Sequence, residues 1–182
     1  MNIVTHDNMI ECSHCGNGAN VNEYYDFIPF DDNCNIPVSP VEWMKYERQE
    51  IIKEIRKDDN YSLKFTTSVG HLPQDHYLKG HDIAEPYGKG EIEINHSGLH
   101  FNGHLLDGSI WKFDLDYKGL YTLSIPVDMK SFAIYIGGQF YLFYDNSVPV
   151  GKSIMVVEEM HRLHVNYWKN FPWFSYMYEE DK

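Results

Sequence analysis

The residues with the most specific chemistry are Ile10-Glu11-Cys12-Ser13-His14-Cys15-Gly16. Two cysteines spaced by two residues and followed by glycine form one zinc knuckle, because the glycine lets the backbone turn until its amides face the thiolate sulfurs. A structural zinc takes four ligands, and a second C-x-x-C pair is missing. Cys34 is the remaining cysteine, and His6 or His14 can supply an imidazole. Two readings stand. In one, Cys12, Cys15, Cys34 and His6 hold a structural zinc. In the other, the knuckle is incomplete and binds no metal, which the lack of a second pair favours. A thioredoxin-like redox pair is least favoured, since no βαβ pattern surrounds the cysteines.

The chain carries 10 histidines. His71, His76 and His81 share one loop. His100 and His104 share a strand face, with His96 at the preceding turn. His161 and His164 follow Glu158 on a helix. A Glu-x-x-His helix is one arm of a dimetal site, but its second arm is missing. There is no H-E-x-x-H, no G-x-S-x-G and no phosphate-cradling glycine loop. No nucleophile stands beside a base at a spacing the sequence makes readable. The residues therefore predict a binding or regulatory module, with no catalytic residue assigned. The alternatives are a small barrel holding an apolar ligand and an enzyme with an unrecognised histidine or metal site.

The elements that must carry these residues are mostly strands. Glu91–Asn95, Leu99–Asn102, Trp111–Leu115 and Tyr121–Val127 alternate apolar and polar residues, the period of a half-buried strand. Phe132–Ile136 and Gln139–Tyr144 flank Gly137-Gly138, a two-residue hairpin loop whose glycines tolerate positive φ. Tyr61–Val69 predicts an earlier strand. Ser39-Pro40-Val41-Glu42 announces a capped helix running to about Lys57, with Met44, Ile51, Ile52 and Ile55 as its apolar stripe. A final helix is expected from about Ser153 to Trp168, burying Val156, Val157, Met160, Leu163 and Tyr167. The aromatic tail from Phe171 is expected to pack back on the domain. The predicted class is mainly β (α+β), a bent antiparallel barrel closed by a C-terminal helix. Its expected parts are a partial zinc-ribbon-like segment over 1–36, a linker helix over 37–59 and the β domain over 60–182.

The 182 residues carry a net charge of −12, and the first 40 hold six acidic residues and no Lys or Arg. Such a surface repels phosphate backbones, which disfavours nucleic acid. Lys64, Lys79 and Lys89 are scattered, which disfavours specific phosphoinositide binding. No signal peptide or transmembrane helix is visible in the sequence, and three cysteines suit a reducing compartment. A cytoplasmic protein is expected, with peripheral membrane contact left open.

The β region resembles a pleckstrin-homology-like (PH) or GRAM-like domain, a bent barrel stoppered by a C-terminal helix. More specifically, the chain is similar to the region following the catalytic domain in clostridial-type 1-acylglycerol-3-phosphate (glycerophospholipid) acyltransferases. The residues that carry this are Ile10–Gly16, Val41-Glu42-Trp43-Met44-Lys45-Tyr46-Glu47-Arg48, Gly98-Leu99-His100-Phe101-Asn102-Gly103, Leu120–Leu123 and Phe140–Tyr144. The resemblance implies a non-catalytic accessory module whose partner is an acyltransferase catalytic domain. The family's catalytic His-x-x-x-x-Asp is not present; His6 with Glu11, and His76 with His81, are near-misses. The first half of the expected ribbon would fall before Met1, so the chain is expected to be a severed or stand-alone accessory region.

Overall fold

Four short strands open the chain as an antiparallel meander. They are β1 (Ile3–His6), β2 (Met9–Cys12), β3 (Gly18–Val21) and β4 (Phe27–Pro29), paired in that order. The computed structural model describes residues 3–73, 84–120, 122–127 and 129–165. The expectations that fall on His76, Lys79, His81, Tyr121, Tyr167 and the tail from Phe171 lie outside them. The chain divides into two compact units, Met1–Lys53 and Glu54–Lys182.

In the first unit, α1 begins where its sequence announces it. The Ser39 hydroxyl accepts from the Glu42 N–H at 3.3 Å, one half of the expected capping box, and α1 covers Pro40–Lys57. Phe27 of β4 meets Trp43 of α1 edge to face at 5.6 Å. The Trp43 Nε1–H donates to Glu47 Oε1 at 2.7 Å, and burial raises the Glu47 carboxyl above its ordinary range. Ile51 and Ile55 are buried, whereas Met44 is exposed. The less exposed line is therefore Trp43, Glu47, Ile51, Ile55, a strict i, i+4 row; Met44 falls one residue off it. The division between the two units falls inside α1, after Lys53.

The second unit is a curled six-stranded antiparallel sheet, a half-barrel, with a helix against it. Its strands are β5 (Ser62–His71), β6 (Glu85–Asn95), β7 (Gly98–Leu105), β8 (Ile110–Leu115), β9 (Phe132–Ile136) and β10 (Gln139–Tyr144). They pair in the order β8-β7-β6-β5-β10-β9. Alternation places Leu63, Phe65, Ile92, Ile94, Leu99, Phe101, Phe132 and Phe143 inward, all buried. The rings fill the interior: Phe132 stacks on Phe143 at 5.2 Å and meets Phe65 edge to face at 6.3 Å. Gly90 opposes Gly103 under the Phe101 ring; a Cβ on Gly90 would come within 2.7 Å of that ring. Gly137 and Gly138 take φ of 58° and 80° between Ile136 and Gln139, the expected hairpin turn.

Two expectations about elements differ. Leu123, Ile125 and Val127 do not form a strand; the described part of this stretch makes a single bridge, Ser124 to Ala133. Pro126 removes a ladder donor, and its carbonyl instead closes a turn with the Met129 N–H at 3.0 Å. Leu120 and Leu123 still reach the core, while Ile125 and Val127 are exposed. The final helix, α2, covers Val150–His164 and so starts and ends earlier than expected. Val156, Val157 and Met160 are fully buried, each stabilising the fold by about 1.5–3 kcal/mol; Leu163 is exposed. Glu159, nearly buried, accepts from Arg162 Nη2 at 2.6 Å and from Arg56 Nε at 3.2 Å. No helix among the described residues is long and apolar enough to cross a membrane.

Candidate functional site

In the first unit, the knuckle forms at the end of β2. The Gly16 N–H donates to the Cys12 carbonyl, and the Cys12 N–H to the Asn17 carbonyl, each at 2.8 Å. Gly16 takes φ of 71°, the left-handed conformation that glycine adopts without a Cβ penalty. The amides of Cys15 and His14, in that order of importance, and then the Cys15 thiol donate toward the Cys12 sulfur. They lower its pKa, which is what a metal-ready thiolate requires.

The other two expected ligands are placed differently. Cys34 lies in a loop where its N–H donates to the Asp31 carbonyl at 3.1 Å. The Asn17 side chain donates to the Asn35 carbonyl at 2.8 Å, which brings this loop alongside the knuckle. His6 sits at the opposite end of the β1–β2 hairpin: it pairs with Met9, whereas Cys12 pairs with Ile3. Three residues of strand span about 10 Å, whereas ligands of one zinc lie within about 4 Å of each other. Among the described residues, no three His, Cys, Asp or Glu side chains are grouped to hold a metal. Cys12 and Cys15 thus fit half a zinc site, and the set Cys12, Cys15, Cys34, His6 is not assembled in this structure.

In the second unit, the polar side chains gather on the β6–β7 turn. Ser97 Oγ lies 2.8 Å from His100 Nε2, and His100 Nδ1 lies 2.5 Å from Asp114 Oδ1. The connectivity is that of a serine–histidine–aspartate relay. Beside it, His96 Nδ1 lies 2.9 Å from His164 Nε2 at the end of α2, and His96 Nε2 lies 3.3 Å from the Asp58 carbonyl. Tyr117 stacks on His164 at 5.9 Å and donates its hydroxyl to the Asn95 carbonyl at 2.5 Å. Burial, and then the neighbouring His96, lower the His164 pKa.

The serine of this line has a second partner. Asn95 Oδ1 accepts from the Ser97 N–H at 2.8 Å and lies 2.7 Å from Ser97 Oγ. A hydroxyl proton committed to Asn95 is not available to be taken by the imidazole. Asp114 is 80% exposed, so water screens it, unlike the buried carboxylate of a protease triad. His100 and Asp114 also continue a row of outward polar side chains: Lys64 pairs with Glu93 at 3.1 Å, and Glu93, His100 and Asp114 are cross-strand neighbours. Such pairs stabilise a sheet by about 0.2–1 kcal/mol each.

Sequence spacing missed both groupings. Ser97 and His100 are three residues apart, but Asp114 and His164 arrive only through the β7–β8 register and the end of α2. Of the remaining histidines, His71 packs between Tyr87 and Tyr141, His104 is exposed on β7, and His161 is buried in α2.

No protein-family model matches the chain, and no curated protein matches it.

Proposed function

We propose that the chain is a non-catalytic accessory module of the PH/GRAM-like kind that docks beside a phospholipid (lysophosphatidate) acyltransferase catalytic domain. The resemblance of its sequence to the region following such domains motivates the partner. The curled sheet with α2 against it agrees with the architecture that resemblance implies.

The observation that carries docking is the β7–β8 hairpin. Leu106 is 74% and Ile110 69% exposed, on either side of the Asp107-Gly108 tip. Hydrogen bonds close the tip: the Leu105 N–H donates to the Ser109 carbonyl at 2.9 Å, and Asp107 Oδ1 accepts from the Ser109 N–H at 2.8 Å. The strand that follows, β8, stands at one end of the strand order, so its outer edge has no strand neighbour among the described residues. Exposed apolar side chains beside an unpaired edge suit addition of a partner's strand.

Co-elution with a purified lysophosphatidate acyltransferase catalytic domain tests this reading. The expected result is a complex that is lost on replacing Leu106 and Ile110 together by Asp. Absence of a complex at micromolar concentrations removes the reading. Flotation of the chain with vesicles without the enzyme would assign the hairpin to a membrane surface instead.

A further inference from the structure

We infer that His96 and His164 form a bidentate imidazole site for a divalent transition cation of the zinc, nickel or copper class. The inference stands apart from the docking role and from the cysteine knuckle. It rests on three features of the pair. The first is proximity: the facing nitrogens are 2.9 Å apart. Two nitrogens bound to one tetrahedral zinc at 2.0–2.1 Å lie about 3.3 Å apart, so binding requires the rings to part by only a few tenths of an ångström.

The second feature is the tautomer. His96 Nε2 faces the Asp58 carbonyl, which can only accept. The proton of neutral His96 therefore sits on Nε2, and the Nδ1 lone pair points at His164. A backbone carbonyl that holds the far N–H of an imidazole is the usual outer support of a metal-bound histidine. The third is fixed orientation. His164 is stacked on Tyr117, whose hydroxyl is tied to Asn95 next to His96. Both rings are thus held by one hydrogen-bonded turn. In the absence of metal the two nitrogens share one proton. The cation takes the place of that proton, to one side of the line between the nitrogens, as the rings turn toward it and His164 moves its own proton to Nδ1. Imidazole nitrogens select borderline cations over magnesium or calcium, and the exposure of His164 leaves the remaining positions to water.

The test is titration of zinc chloride into the full chain carrying Cys12→Ser and Cys15→Ser, followed by calorimetry. The expected result is one zinc per chain. His96→Gln and His164→Gln should each weaken binding about tenfold or more, while His100→Gln leaves it unchanged. In the unsubstituted chain, zinc should shift the ring nitrogen resonances of His96 and His164, so the result does not depend on the cysteine variant folding. Zinc binding that survives both histidine changes overturns the inference. So does the absence of saturable binding up to millimolar zinc, or ring resonances of His96 and His164 that zinc leaves in place.

Discussion

Two backbone amides and a second thiol point at the Cys12 sulfur. A thiol whose anion is so stabilised is a thiolate at lower pH and reacts earlier. Iodoacetamide near neutral pH should alkylate Cys12 faster than Cys34, read by mass spectrometry of the digested chain. Replacing Gly16 by Val should erase the difference, because a β-branched residue resists φ of 71° and the turn must open. The knuckle was legible in the sequence because all its parts lie within five residues. The Ser97, His100, Asp114 line was not, since a turn residue, a mid-strand residue and a residue of the next strand meet only once the register is set. The β1–β2 register likewise sets His6, beside the turn, at the other end of the hairpin from Cys12, a separation that six residues of sequence do not reveal.

Elements were readable where local chemistry decides them. Ser39 caps α1, and Gly137-Gly138 turns the last hairpin. They were misread where a single residue overrides a pattern. Leu123, Ile125 and Val127 alternate like a strand, yet Pro126 lies between them and the chain turns there. Within the second unit, α2 is held by more than apolar contact. Glu159 receives Arg162 from its own helix and Arg56 from the last turn of α1, with only 4% of its side chain exposed. Removing a buried carboxylate takes away the ion pairs it makes in the core. Glu159→Ala should therefore cost about 2 kcal/mol, less than a fully buried pair because Arg56 is 41% exposed. Urea denaturation monitored by far-ultraviolet circular dichroism checks it. Lys152→Ala, which breaks a long pair at 3.6 Å with Glu54, whose side chain is 55% exposed, should change stability by under about 1 kcal/mol.

At the scale of the whole molecule, acid is the weak flank. Burial lowers the His161 pKa below its ordinary 6.5, and His164 moves the same way. As pH falls through 6.5 the unfolded chain takes up these protons before the folded one does. Stability is full above that value and falls below it, until the folded-state values are passed. Thermal melts should give a lower midpoint at about pH 5.5 than at about pH 8, and the difference should shrink in a His161→Gln variant. The half-barrel follows from its repeated two-residue alternation, which is why the mainly β class was legible. The division between the two units falls within α1, whose pattern runs on across it without a break.

The strand order has one more consequence. β6, β7 and β8 follow β5 as successive hairpins, but the other side of β5 is filled by β10, which pairs Phe143 with Val69. Local hairpins close quickly, whereas this pairing waits for a long loop to be gathered. During synthesis, β5 leaves the ribosome with one edge bare and stays so until β10 emerges. A nascent chain stalled after Leu115 would carry that edge beside the unfilled seat of Phe132 and Phe143, a template for clumping with its neighbours.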